Sequence, residues 1–90
     1  MIILGIDPGY AIVGWGVIEK EKNGKCHVID YGSIDTDKTM TFPERLYKIK
    51  MGTRSLLATF KPDVMAIEEL FFNTNITTAI KVAQDRKSVV

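Results

Sequence analysis

Apolar positions open the chain as a block. Ile2–Ile6 (I-I-L-G-I) carries no charge and stops at Asp7, with Pro8 and Gly9 next. A short apolar run bounded by Pro and Gly predicts a strand buried on both faces, Ile2–Asp7. Pro8–Ile12 reads as a turn. Val13–Glu19 then alternates, with Val13, Trp15 and Val17 on one face and Gly14 and Gly16 opposite. That predicts a second strand, antiparallel to the first because the connection is too short for a crossover. Glycine inside a strand often marks the close approach of another backbone or a ligand. Lys20–Lys25 is a charged turn containing Asn23-Gly24, a hairpin signal. Cys26–Ile34 returns as a third strand, and Asp35–Met40 is a polar loop.

The period then becomes helical. Thr41-Phe42-Pro43-Glu44 fits a capping box, with Thr41 as N-cap and Glu44 three residues on. Leu46, Ile49, Leu56, Leu57 and Phe60 keep helical spacing and can form one buried stripe, with Lys48, Lys50 and Arg54 off it. Lys61-Pro62 ends this helix near Phe60. Asp63–Ile67 is a fourth strand, ended by Glu68 and Glu69. Coming after a crossover helix, it is expected parallel to the first strand and beside it. Leu70–Asn75 reads as a loop carrying Phe71 and Phe72. A second helix is expected from about Asn75 through Ala79, Val82 and Ala83.

This order makes an α/β fold in a single domain. Two strands that are parallel neighbours both end in acid at one edge of the sheet, which brings Asp7 and Glu68 together. Two carboxylates a few ångströms apart repel, by ~1 kcal/mol in water and several-fold more at lower dielectric. A shared proton is one resolution. A divalent cation is the other: hard oxygen donors on rigid strand ends suit Mg²⁺ or Mn²⁺, which recruit phosphate oxygens. A pair of such cations ~3.5–4 Å apart is the usual engine of in-line phosphodiester cleavage. Taken alone, Asp7 before Pro-Gly also fits a turn residue bonding its own backbone. Phe71 and Phe72, beside the acids, fit either core plugs or platforms on which an unpaired base stacks.

Composition removes other classes. Twelve basic and eleven acidic residues leave a formal charge of +1, which argues neither for nor against nucleic acid. The lone cysteine, Cys26, excludes an intramolecular disulfide, and a reduced, cytoplasmic setting is the default. No apolar run approaches a membrane span, and the N-terminal run lacks a basic flank, so a soluble chain without signal peptide or membrane partner is expected. His27 has no cysteine or histidine companion at metal spacing and reads as a surface or packing residue.

Three stretches now match a known family. I-L-G-I-D-P-G-(x4)-G-W-G-V-I at Ile3–Ile18, T-x-x-x-R-L-x-x-I at Thr41–Ile49 and D-V-M-A-I-E-E-L-F-F-x-x-N at Asp63–Asn75 resemble the RuvC family of Holliday-junction resolvases. An acid followed by glycines also opens the actin and sugar-kinase ATPases; the A-I-E-E-L-F-F segment separates the two. The resemblance implies an RNase H-like mixed sheet and a homodimer that cuts a four-way DNA junction symmetrically using Mg²⁺. It puts the first two metal-binding, catalytic acids of the family on Asp7 and Glu68. It puts a DNA-contacting aromatic on Phe71 and a phosphate contact on Lys81. It implies the branch-migration proteins RuvA and RuvB as partners. The family's third and fourth acids lie on a later helix that has no counterpart among these ninety residues, and Asp85 and Lys87 depart from the family pattern. Residues 1–90 are therefore expected to be the N-terminal portion of one RNase H-like nuclease domain, truncated after the fourth strand and following helix, with little or no activity alone. Two other readings stay open. One is an ATPase-like phosphate-binding half-domain. The other is a non-catalytic junction-binding fragment in which Phe71, Lys81, Arg86 and Lys87 touch DNA.

Overall fold

A computed structural model describes residues 1–9, 11–68 and 74–84. Four strands, β1 (Ile2–Pro8), β2 (Ile12–Lys20), β3 (Cys26–Asp35) and β4 (Val64–Ile67), form one mixed sheet in the order β3-β2-β1-β4. Helix α1 (Phe42–Phe60) lies between β3 and β4 in the chain, and α2 (Thr74–Gln84) follows β4.

The hairpin β1–β2 is antiparallel, with Ile2 opposite Glu19 and Asp7 opposite Gly14. Its sister β2–β3 closes through Glu21–Lys25, where Gly24 takes a φ of 88° that an L side chain rarely adopts. The β2–β3 register slips between Val17 and Ile18, leaving Ile29 as the extra residue of a bulge. After the α1 crossover, β4 pairs parallel to β1, Ile3 opposite Val64 through Ile6 opposite Ile67. Asp63 clamps the start of this pair: its Oδ2 accepts from the Ile2 amide at 2.8 Å, and its own amide donates to the Ile2 carbonyl at 2.8 Å.

Both ends of α1 are made locally. The capping box is present, with the Glu44 amide donating to Thr41 Oγ1 and the Thr41 amide to Glu44 Oε1. Beyond Phe60, Lys61 adopts a left-handed conformation and donates to the Leu57 carbonyl, which closes the helix before Pro62. Ile49, Leu56 and Leu57 are buried as the stripe predicts, and Leu46 and Phe60 are half-buried beside them. Thr53 completes the stripe. It is fully buried and satisfies its hydroxyl by donating to the Ile49 carbonyl at 2.7 Å.

The core lies on one face of the sheet. Leu4 and Ile6 of β1, Val13 and Val17 of β2 and Ile34 of β3 meet the α1 stripe and Ile76 and Ile80 of α2. Each such side chain contributes on the order of 2 kcal/mol by leaving water. On the opposite face, Ile3, Gly5, Gly14 and Gly16 are half-buried, and Asp7, Tyr31, Val64 and Ala66 are exposed. The expectation that the first strand is buried on both faces is thus corrected: among the described residues both helices join the same core, and β1 buries one face.

Candidate functional site

Asp7 is the penultimate residue of β1, on the face away from the helices, and is exposed. Its position follows from parity. Leu4, Ile6 and Pro8 turn into the core, so Gly5 and Asp7 turn out. Glu68 immediately follows β4, and its amide donates to the Ile6 carbonyl at 2.9 Å. That bond carries the Ile6–Ile67 register one residue further, so Glu68 stands beside Asp7 on the same face. Neighbouring strands run ~4.8 Å apart. Glu68 is exposed too.

The two acids rim an open groove of about 660 Å³ floored by Gly5, Gly14, Gly16 and Ala66. These four carry no side chain beyond a methyl; Ile6, Trp15, Gly32 and Ile67 also line the groove. Hard, exposed carboxylates from adjacent strands fit a divalent cation such as Mg²⁺, which binds through one or two carboxylates and keeps several waters. Among the described residues, no group of three or more potential ligands gathers anywhere.

The remaining expected residues lie apart. Lys81 is exposed in the last turn of α2, the helix whose Ile76, Ile80 and Ala83 enter the core, and it does not line the groove. Phe71, Phe72 and Glu69 fall outside the described residues. His27 pairs with Glu21 at 3.1 Å on the surface of the distant β2–β3 hairpin, and Cys26 is a free, exposed thiol. Trp15 is half-buried and packs against the core, its ring tilted 46° to Phe60 with centroids 5.8 Å apart.

Alternation along β2 places Gly14 and Gly16 on one face; that Gly14 is the cross-strand partner of Asp7 emerges only from the hairpin register. The signal lay in the short connection between β1 and β2 in the chain, which leaves little choice of hairpin register.

This arrangement has close relatives. The model of the family described as crossover junction endodeoxyribonuclease RuvC matches residues 3–90. The crossover junction endodeoxyribonuclease RuvC of Alkaliphilus metalliredigens is 54% identical over 86 residues, covering 96% of this chain and 52% of that protein. Thermus thermophilus RuvC superposes with a TM-score of 0.83 at 29% identity, over 92% of this chain and 54% of that one. T. thermophilus RuvC in complex with a Holliday junction substrate does so with a TM-score of 0.81 at 26% identity, over 92% and 58%. The chain spans about half the length of the curated relatives it matches. These matches also fix the RNase H-like fold, and they favour the nuclease family over the ATPases that share its opening motif. The chain belongs to the RuvC family of crossover junction endodeoxyribonucleases.

Proposed function

We propose that these residues form the strand-end half of a structure-specific endodeoxyribonuclease that resolves Holliday junctions in DNA recombination and repair. The observation that carries the reading is the juxtaposition of Asp7 and Glu68 at one edge of the sheet, beside Gly5, Gly14 and Ala66, in a chain of this family. Asp7 and Glu68 would hold Mg²⁺, with Mn²⁺ as a substitute. The ion, when bound, supplies Lewis-acid stabilisation of the phosphate and an activated water. The chain's own part is positional. The β1–β4 ladder fixes both carboxylates on rigid backbone, and Gly5 and Gly14 beside them let a phosphodiester backbone come close.

Two carboxylates are a sparse set for a nuclease ion. The chain by itself therefore holds metal weakly, and full cleavage draws on further acids, as in the longer members of the family. Phe71, as a stacking platform, and Lys81, as a phosphate contact, complete the DNA surface in this reading. A homodimer, cooperation with RuvA and RuvB and a cytoplasmic setting belong to it as well. No helix among the described residues is long and apolar enough to cross a membrane.

The test is binding and cleavage of a synthetic four-way junction in Mg²⁺, beside a linear duplex and an Asp7→Asn variant. Junction-selective binding with little or no cutting is expected. Equal affinity for the linear duplex would overturn the junction reading. Efficient symmetric nicking that survives Asp7→Asn would remove Asp7 from the site.

A further inference from the structure

We infer that Gly14 is a positioning residue for Asp7: its lack of a side chain keeps the β2 side of the carboxylate open for the water and phosphate ligands of a bound divalent ion. The inference rests on the metal-binding reading of Asp7 and Glu68. It adds a direction to it: the side of Asp7 left free of side chains is the one facing β2.

The argument starts from the two neighbours of Asp7 on its own face. On the β4 side stands Glu68, a second ligand. On the β2 side stands Gly14, its cross-strand partner. Nothing in the backbone requires glycine there, since Gly24 is the one glycine with positive φ among the described residues. Nor does packing. A Cβ on Gly14 would meet the Asp7 carbonyl oxygen at 3.8 Å and Asp7 Cβ at 3.9 Å, both ordinary contacts. Glycine in a strand forgoes side-chain packing and costs backbone entropy. What a side chain at position 14 would take up is the space beside the carboxylate. Mg²⁺ demands near-octahedral coordination and gives up water reluctantly, so an ion held by two carboxylates needs that space for its remaining ligands.

Gly16 supplies the control. It lies two residues along the same strand and on the same face, and a Cβ there would meet nothing within 4 Å. Gly16→Val makes the same change of backbone freedom and strand propensity as Gly14→Val, but away from Asp7.

The experiment is a Mn²⁺ titration of the ¹⁵N-labelled chain, following paramagnetic broadening of the Gly5 and Ile67 amides and of the amide at position 14. Wild type and Gly16→Val should broaden at the same Mn²⁺ concentration. Gly14→Val should need about 10-fold more, the usual scale when a residue supporting a metal ligand is altered. Gly14→Ala should fall between them, and its ordinary contacts let it carry the test if the valine variant fails to fold. Asp7→Asn tests the underlying reading separately. Loss of broadening in Asp7→Asn, with both Gly14 variants titrating as wild type, would overturn the role of Gly14 alone. Wild type and Asp7→Asn responding alike would overturn the metal-binding reading and this inference with it.

Discussion

The Glu68 amide donates to the Ile6 carbonyl over 2.9 Å, one step past the last residue of β4. That bond sets where the Glu68 side chain leaves the sheet, and it is made by backbone alone. Replacing the acid therefore leaves the ladder intact. Asp7 is exposed on the same face. Asp7→Asn and Glu68→Gln should each abolish Mn²⁺ broadening, and Asp7→Asn should leave the thermal midpoint unchanged or slightly higher, because it removes one of two like charges. Calorimetry beside the titration checks this. A large loss of stability in Asp7→Asn would mean that the acid holds the fold rather than an ion.

Gly32 and Trp15 face each other across β2 and β3. A Cβ on Gly32 would lie 2.8 Å from Trp15 Cζ2 and 3.1 Å from Cε2, so the indole would have to move. Trp15 in turn leans on Phe60 at the end of α1. Gly32→Ala should therefore destabilise by about 1–3 kcal/mol, the usual range for overpacking. Trp15 is the only tryptophan in the chain, so its fluorescence should shift in the same variant. A denaturant midpoint equal to wild type with an unshifted emission maximum would show that the ring has room to yield.

Much of this arrangement can be read along the chain, for a definite reason. Whether Asp7 and Glu68 share an edge depends on strand direction, and strand direction follows from connection length: a tight turn makes β2 antiparallel, a crossover helix makes β4 parallel. The start of α1 is equally legible, because Thr41 and Glu44 satisfy one another locally. Features settled by a neighbour across the sheet are not. Gly32 is glycine because of Trp15, far away in the numbering and directly opposite in space. Thr53 reads as a polar break in the α1 stripe until its hydroxyl is seen returning to the Ile49 carbonyl. One-sided burial of β1 is hidden for the same reason, since an apolar run reports that a strand is hydrophobic and not which faces find a covering layer. Pro8 extends β1 one residue beyond the expected end because the ladder to Val13 does not need its missing N–H.

The link from β3 to α1 makes a prediction about acid. Asp37 lies in this turn, with Oδ1 accepting from the Thr39 amide at 3.0 Å and its carbonyl accepting from the Met40 amide at 3.1 Å. The hydrogen bond from the Thr39 backbone, foremost, and then that from the Thr39 side chain favour the ionised carboxylate and hold its pKa below the ordinary aspartate value. In the unfolded chain Asp37 takes up its proton at the ordinary value, before the folded form does. The contribution of this turn to stability is therefore full above the ordinary aspartate range and shrinks as pH falls through it towards the lowered native value. Because Asp37 is fully exposed, water screens the effect and it should be small. Urea midpoints measured from neutral pH down into the acid range should fall less steeply in Asp37→Asn than in wild type, since the amide does not titrate. Parallel acid slopes in the two proteins would show that the Thr39 contact does not discriminate between the charged and neutral carboxyl in solution.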